Sequence, residues 1–207
     1  MNSQKNKIDF LESKKINFNV CFVGLDGAGK GTYIDLLLKD YKKANTNYKL
    51  CYLGHGSQHL LLVKKIVSIK DSMTSKGMAY KLMLLLYFLF LPLDLLLRRG
   101  FTKYDIVISD RHPRYEPIVE NGIFKVYDKL INHICPKPNL VIYLTGPTKA
   151  LWERKKEYPY DKYVHKKENL DALIERNKNQ FLTVQIDTSI GIAKVYNKIK
   201  ALLNLNG

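Results

Sequence analysis

The sequence has few cysteines, and none of them forms the short pair typical of redox or metal motifs. Cys21, Cys51 and Cys135 are scattered, with no C-x-x-C spacing. Two of them lie in apolar, strand-like runs, which favours buried free thiols in a reducing compartment. The N-terminus is polar and lacks the apolar core of a secretory signal. We therefore expect a cytoplasmic protein.

A clean apolar run of membrane-spanning length is also missing. The longest apolar stretch, residues 82–97, contains Pro92 and Asp94 and is flanked by Lys81 and Arg98. It is shorter than the ~20 apolar residues that cross a bilayer. We expect no membrane span, and we predict a buried helix over this stretch.

Acidic residues are scarce relative to basic ones. The chain has 34 Lys and Arg against 19 Asp and Glu, a formal net charge of +15. Such an excess attracts nucleotides, nucleic acid or an acidic membrane surface, and it is equally typical of a solvated lysine-rich surface. Aromatic and basic residues are not interleaved as they are in single-strand binders, so we expect no nucleic-acid partner. Peripheral contact with a membrane stays open.

The remaining composition is that of a globular protein, with 46% hydrophobic and 26% charged residues in a chain of 207. After a polar tail at 1–16, apolar runs alternate with helical patterns over 17–207, which predicts one α/β domain with a parallel sheet covered by helices. The predicted strands cover 19–23, 48–53, 105–109, 140–144 and 181–186. The predicted helices cover 30–41, 60–69, 78–99, 149–177 with a break at Pro159, and a last segment ending near Leu205.

The turn between the first strand and the first helix matches the phosphate-loop pattern G-x-x-x-x-G-K. Its glycines allow backbone N–H groups to turn toward phosphates, and the helix N-terminus adds a positive dipole end. Lys30 is suited to bridging the β- and γ-phosphates of a nucleoside triphosphate. The predicted nucleotide contacts are Gly24, Asp26, Gly27, Ala28, Gly29, Lys30, Gly31 and Thr32.

The hydroxyl that usually binds Mg²⁺ in such a loop is displaced by one residue. Gly31 follows Lys30, so the first hydroxyl is that of Thr32. Mg²⁺ is still expected, because phosphoryl transfer needs the β- and γ-oxygens held together. Direct ligation by Thr32, ligation through water and a phosphate contact all stay open.

Polar residues that follow a core strand lie at the carboxyl edge of a parallel sheet, where doubly wound folds bind ligands. Asp110 follows the third predicted strand, and we expect it to orient Mg²⁺ or its waters. Arg111 is suited to an acceptor phosphate because its planar fork holds two oxygens at once. A surface turn is the alternative for this pair. His55 and His59 have no third metal ligand nearby, so we predict that they line the acceptor pocket.

A basic segment follows the fourth predicted strand. We predict a lid over about residues 153–168, in which Arg154 reaches the transferring phosphates while the lid excludes water. Most of the neighbouring lysines are better explained as a solvated helix face. The neighbouring lysines are Lys155, Lys156, Lys162, Lys166 and Lys167, around Tyr158-Pro159-Tyr160.

Residues 22–30, FVGLDGAGK, closely resemble the thymidylate kinase group of nucleoside monophosphate kinases. Asp110-Arg111 resembles that group's strand-end motif, and similar segments are 138–144, 153–156 and 186–189. The resemblance implies a P-loop NTPase fold, an α/β three-layer sandwich with a five-stranded parallel sheet and a small basic lid. It also implies ATP as donor, Mg²⁺, and a phosphorylated acceptor.

The departures from that group concern the acceptor. Val23 stands where those kinases usually carry a glutamate, and Gly54-His55-Gly56-Ser57 stands where they have an Arg-Glu-Pro segment that holds the acceptor phosphate. Residues 110–113, DRHP, are similar to the nucleoside-site motif of herpesviral thymidine kinases. The apolar helix resembles divergent thymidylate kinase-like proteins of uncertain substrate.

The chemistry of the acceptor ranks the functions. A nucleoside kinase benefits from a carboxylate base, and here Val23 replaces the usual glutamate, which leaves Asp26. A monophosphate kinase attacks with an oxygen that is already ionised. We therefore expect phosphotransfer from ATP to a nucleoside monophosphate, dTMP being the first choice. The predicted catalytic residues are Lys30, Asp110, Arg111 and Arg154, and the predicted metal ligands are Thr32 and Asp110.

Three alternatives remain: a nucleoside kinase, a kinase of a sugar- or lipid-linked acceptor, and a non-catalytic nucleotide-binding module. A homodimer stays open as well.

Overall fold

Five parallel strands form the centre of the computed structural model, which describes residues 18–54, 60–73, 77–99, 104–115, 133, 135 and 137–203. The strands are β1 (Phe18–Val23), β2 (Tyr48–Tyr52), β3 (Ile106–Asp110), β4 (Leu140–Thr145) and β5 (Leu182–Asp187). Their order in the sheet is β2-β3-β1-β4-β5. The predicted five-stranded parallel sheet is confirmed. The predicted tail at 1–16 and the histidines His55 and His59 lie outside the described residues.

The central strands are buried on both faces, as expected for parallel strands covered by helices. Four consecutive residues of β1, from Val20 to Val23, are at most 4% exposed. β1 pairs with β3 so that Phe22 lies beside Asp110, and with β4 so that Val23 lies beside Tyr143. This register brings the carboxyl ends of the strands to one edge of the sheet.

The described residues contain six α-helices, five between strands and one after β5. They are α1 (Lys30–Lys43), α2 (Leu61–Ser72), α3 (Met78–Arg99), α4 (Thr148–Lys155), α5 (Tyr160–Asn177) and α6 (Ile192–Leu202). Short 3-10 turns at Pro113–Tyr115 and Thr188–Ile190 were not predicted. The basic stretch predicted as one broken helix is α4 and α5, because Pro159 precedes α5 and Lys156 ends α4 in a left-handed conformation.

The helices cover both faces of the sheet and complete three layers. Leu37 of α1 and Ile199 of α6 pack with Val20 and Phe22 on one face. The opposite face carries α5 over β1 and β4, and α2 with α3 over β2. The three cysteines are buried and form no disulfide, as predicted.

The apolar helix α3 is buried on one face only. Tyr87, Phe88 and Leu91 are buried against α2 and β2, whereas Leu85 and Leu89 expose about two thirds of their surface. The prediction of a buried helix is therefore wrong for this second face. Within the described residues, none of the helices reaches both the length and the hydropathy of a membrane-crossing segment.

Candidate functional site

The phosphate loop turns tightly between β1 and α1. Gly27 and Gly29 have φ angles of +89° and +81°, a region that side chains other than glycine rarely adopt. A Cβ on Gly27 would lie 2.2 Å from the carbonyl oxygen of Leu151, so α4 packs directly on bare loop backbone. The loop conformation therefore depends on glycine at both positions.

Lys30 lies at the start of α1 with its ammonium group folded over the loop. Its Nζ donates hydrogen bonds to the carbonyl oxygens of Gly24 at 2.7 Å and Leu25 at 3.1 Å, and the residue is only 7% exposed. These carbonyls hold the ammonium in place without neutralising its charge. The position of the Lys30 ammonium suits the binding of an anion, whose oxygens would replace the two carbonyls as its hydrogen-bond acceptors.

A cleft of about 640 Å³ crosses the carboxyl edge of the sheet over this loop. On one side, here called the β2–β3 side, it is lined by Tyr52, Asp110 and Arg111. On the other, the β4–β5 side, it is lined by Arg154, Lys155, Thr188, Ser189, Gly191 and Ile192. Four strand spacings separate β2 from β5, so the cleft has about 19 Å of sheet edge in which to place two ligands end to end.

The β2–β3 side is organised around an ion pair. The Nη2 of Arg111 donates to the Oδ1 of Asp26 at 2.6 Å, and its guanidinium carbon lies 6.0 Å from the centre of the Tyr52 ring. Arg111 has a φ of +66°, and its backbone N–H donates to Phe22 at 3.1 Å. A left-handed conformation costs a non-glycine residue roughly 1–3 kcal/mol, and such residues cluster at functional sites. The backbone of Arg111 is therefore strained, and its guanidinium contacts the phosphate loop through Asp26.

Positive charge surrounds the carboxylate of Asp26. Burial acts to raise its pKa, but Arg111, Lys30 and Lys155 together outweigh burial and hold the pKa below the usual 3.8. The Nζ of Lys155 lies 4.0 Å from the Oδ1 of Asp26. Asp26 is therefore ionised at neutral pH.

The β4–β5 side is tied to the loop by direct hydrogen bonds. Arg154 donates to the carbonyl oxygen of Gly27 at 3.2 Å and to the hydroxyl of Thr188 at 3.3 Å. The hydroxyl of Tyr163, from the first turn of α5, donates to the carbonyl oxygen of Asp26 at 2.6 Å. Burial, and then the charge of Asp26, raise the pKa of Tyr163 to about 12, so it stays a donor. Helices α4 and α5 therefore hold two successive carbonyls of the loop.

Most of the predicted basic cluster does not reach the cleft. Lys166 lies 3.4 Å from the centre of the Tyr158 ring, and Lys162 lies 5.4 Å from it. Lys167 pairs with Asp171 at 2.7 Å. Of the cluster, only Arg154 and Lys155 line the cleft.

The structure brings most of the predicted site residues together around the cleft: Asp26, Gly27, Gly29, Lys30, Gly31, Thr32, Asp110, Arg111 and Arg154. Gly24 and Ala28 do not line it. Gly24 offers its carbonyl to Lys30, and Ala28 is buried in the core below the loop.

The proposed metal ligands, Thr32 and Asp110, both border the cleft. Among the described residues, no group of three or more His, Cys, Asp or Glu side chains could hold a metal ion. A hydroxyl and a carboxylate suit Mg²⁺, which keeps several waters and takes other ligands from substrate phosphates. The residues present therefore fit a magnesium ion that arrives with a nucleotide.

Sequence reasoning did not assign several residues that the structure places at the site: Tyr33, Tyr52, Tyr163, Thr188, Ser189 and Ile192. Tyr52 and Thr188 end or follow parallel strands, so the strand-end argument used for Asp110 would have found them. Tyr163 lies 137 residues from its partner Asp26, and no local pattern marks it.

Solved structures of two kinases share this fold. Deoxyadenosine kinase from M. mycoides with bound dCTP has a TM-score of 0.61 and 16% identity, covering 90% of this chain and 99% of that one. The same enzyme with dCMP and a flexible dCDP bound has a TM-score of 0.59 and 15% identity, with coverages of 90% and 98%. Thymidylate kinase from Ehrlichia chaffeensis has a TM-score of 0.55 and 17% identity, with coverages of 90% and 98%.

The sequence itself matches no family model and no curated protein. At such low identities the structural likeness shows the fold alone. It confirms the predicted P-loop kinase fold.

Proposed function

We propose that this protein is an ATP-dependent phosphotransferase whose acceptor is a nucleoside monophosphate, dTMP being the first candidate. The observation that carries the proposal is the placement of three cations along one cleft. Arg111 lies on the β2–β3 side, Arg154 on the β4–β5 side and Lys30 between them. Phosphoryl transfer depends on positioning and on positive charge around the moving group, which this arrangement supplies.

The β4–β5 side suits the donor nucleotide. Ile192 offers an exposed apolar side chain to a base, and Arg154 adds a planar guanidinium to the lining of the same side. Lys30 and the N-terminus of α1 face the region where the donor's phosphates would lie. Here Lys30 exchanges its two carbonyl partners for phosphate oxygens. Thr32 and Asp110 would hold a Mg²⁺ ion, directly or through water, and the ion would supply positive charge to the phosphates.

The β2–β3 side suits the acceptor. Arg111 already binds one carboxylate oxygen of Asp26, so its fork recognises a planar anionic group in the resting protein. An acceptor phosphate competes for the same guanidinium, and the ring of Tyr52 lies beside it. Arg111 therefore binds and orients the attacking phosphate oxygen.

A phosphorylated acceptor is favoured over a nucleoside because of Asp26. A nucleoside hydroxyl must lose a proton, and an efficient base has a pKa near the working pH. Three neighbouring cations hold the pKa of Asp26 below 3.8, which makes it a weak base. A phosphate oxygen needs no such base. The nucleoside kinase alternative rests on Asp26 as the base and on the fold shared with deoxyadenosine kinase.

Helices α4 and α5 carry the proposed lid, about residues 153–168. Arg154 and Lys155 contribute positive charge to the cleft, and the lid excludes water from the transferring group. The hydrogen bond from Tyr163 to Asp26 links this segment to the loop.

The test is an acceptor panel with purified protein, ATP and Mg²⁺, in which ADP formation is followed and products are identified by mass spectrometry. The panel contains nucleosides, nucleoside monophosphates, and sugar and lipid phosphates. ADP formation with dTMP or another nucleoside monophosphate, and not with the matching nucleoside, supports the proposal. Turnover with nucleosides alone contradicts the monophosphate assignment, and no turnover across the panel contradicts the enzymatic function.

A further inference from the structure

Helix α3 presents an apolar surface that does not border the cleft. Its six large apolar side chains, here called the leucine stripe, recur every three or four residues and expose 39–82% of their surface. They are Met78, Leu82, Leu85, Leu89, Leu93 and Leu97. Scattered exposed leucines are ordinary, but a continuous row along a 22-residue helix marks a contact surface.

The opposite face of α3 is anchored in the protein. Tyr87, Phe88 and Leu91 are buried in a core shared with α2 and β2. The carboxylate of Asp94, on the same buried side, accepts a hydrogen bond from the backbone N–H of Leu60 at 2.6 Å. The leucine stripe therefore lies on the side of α3 that faces away from this core.

Neighbouring helix α2 continues the pattern of apolar side chains with lysines. Leu61 and Ile69 are exposed, and exposed Lys65 lies between them at a spacing of four residues. Lys64 on α2 and Lys81 on α3 are exposed as well. The exposed side chains of the two helices thus include leucines and lysines, and a lysine has an aliphatic stem whose charged end can reach a polar boundary.

Acidic side chains are nearly absent from this surface. The described side chains of the two helices include four lysines, Lys64, Lys65, Lys70 and Lys81, against two acidic residues. Of those two, Asp94 is buried and Asp71 pairs with Lys70 at 3.2 Å.

This charge pattern distinguishes between two partners that could cover the surface, a second copy of the chain and an anionic lipid bilayer. A second copy that presented the same two helices would bring the same lysines to the contact, while on these helices Asp94 is buried and Asp71 pairs with Lys70. An anionic lipid surface accepts both features, because leucines enter the acyl boundary while lysines meet the headgroups.

We infer that α2 and α3 form a docking surface for an anionic phospholipid bilayer, with α3 lying flat in the membrane interface. The leucine stripe inserts between headgroups, and Lys64, Lys65 and Lys81 lie at headgroup level. The inference does not depend on the reaction in the cleft, because it uses none of the cleft residues.

Vesicle co-sedimentation of the full chain tests this inference. Two vesicle types are compared, pure phosphatidylcholine and an equimolar mixture of phosphatidylcholine and phosphatidylserine. The protein is expected to bind the mixed vesicles at least about tenfold more tightly, because surface lysines gain only from anionic lipid. Absence of binding to the mixed vesicles overturns the inference.

Two double variants locate the contact with the membrane. Both change exposed residues, so we expect folding to be retained, and circular dichroism checks this. Leu85→Ser with Leu89→Ser is expected to weaken binding about tenfold or more, while Leu50→Ser, which changes a 45% exposed leucine on β2, leaves it unchanged. Lys65→Gln with Lys81→Gln is expected to weaken binding about tenfold. The matched charge control is Lys194→Gln with Lys198→Gln, both exposed on α6.

Equal loss of binding in the controls would show general charge attraction and overturn the assigned surface. Sedimentation velocity of the lipid-free protein adds an independent outcome. A stable dimer that dissociates in the Leu85→Ser, Leu89→Ser variant would assign the stripe to a second copy instead.

Discussion

The two sides of the cleft are built differently. The β4–β5 side is fastened to the phosphate loop by Arg154 and Tyr163, which bind the carbonyls of Gly27 and Asp26. The β2–β3 side is linked to the loop side chain of Asp26 by Arg111, whose backbone is left-handed. The first set of contacts uses backbone acceptors and can persist when ligand binds. The second uses a side-chain anion that a ligand phosphate can replace.

This difference teaches how one cleft can hold a donor and an acceptor. In the proposed function the β4–β5 side holds the donor, and its hydrogen bonds to the loop lower the cost of ordering the loop when a nucleotide binds. The β2–β3 side, proposed for the acceptor, holds Arg111 in a pair with Asp26, and we expect an anionic ligand to replace Asp26. Lys30 lies between the two sides, and we expect it to serve both.

The largest effect is expected from Lys30→Ala, because it removes the cation shared by both sides. Phosphoryl transfer should fall by about 10³-fold. Folding should change little, since the hydrogen bonds of Nζ to the carbonyls of Gly24 and Leu25 stay within its own loop. Initial rates and a thermal melt measure the two effects, and Lys39→Ala, an exposed lysine of α1, is the control. Retained turnover would refute the role of the phosphate loop.

The next largest effect is expected from Arg111→Ala, which should change the kinetics of the acceptor and leave those of ATP nearly unchanged. Loss of the guanidinium fork should lower kcat/KM for the acceptor by about 10²-fold, while the KM for ATP changes little. Arg111→Lys keeps the charge without the fork and should recover only part of this loss. Steady-state kinetics with each substrate varied in turn measure kcat/KM for the acceptor and the KM for ATP. The control is Arg114→Ala, which removes an arginine that binds Gln180 outside the cleft. An equal rise in the KM for ATP would place Arg111 on the donor side.

A smaller effect is expected from Tyr163→Phe, which changes the contact of α5 with the loop on the β4–β5 side. The variant removes one hydrogen bond to the loop, and the free energy of unfolding should fall by about 1 kcal/mol. The KM for ATP should rise more than that for the acceptor. Denaturant unfolding and two-substrate kinetics measure these changes, with Tyr160→Phe at an exposed position as control. Unchanged stability would mean that this bond does not fasten α5 to the loop.

The smallest effect concerns the pH dependence of the Asp26–Arg111 pair. Because the pKa of Asp26 is lowered in the folded state, the pair's stabilisation is complete above the unfolded pKa near 3.8. It is lost as the pH falls through the lower folded pKa. Asp26→Asn should reduce stability at pH 7 by about 1 kcal/mol, and its stability should fall less than that of wild type on acidification. Urea unfolding at several pH values checks this, and parallel acid profiles would contradict it.

Much of the fold could be predicted because its signals are local. Alternating apolar runs predicted the strands, and the glycine pattern with Lys30 predicted the loop. Arg111 was found because residues after parallel strands share one edge of the sheet. Its left-handed backbone and its pairing with Asp26 were not found, since both depend on tertiary packing.

The exposed face of α3 escaped prediction for a related reason. Residues 82–97 are apolar on nearly every side, so periodicity carries no signal of which face is covered. Only the packing of α2 and β2 against Tyr87 and Leu91 shows that Leu85 and Leu89 point outward.

Amide hydrogen exchange of the full chain tests the central claim most directly, because each ligand can be added alone. A non-hydrolysable ATP analogue with Mg²⁺ should protect residues 27–32 and 188–192. The monophosphate dTMP should protect residues 52–54 and 110–115. Protection of 188–192 by dTMP, or of 110–115 by the ATP analogue without protection of 188–192, would contradict the assignment of donor and acceptor to the two sides.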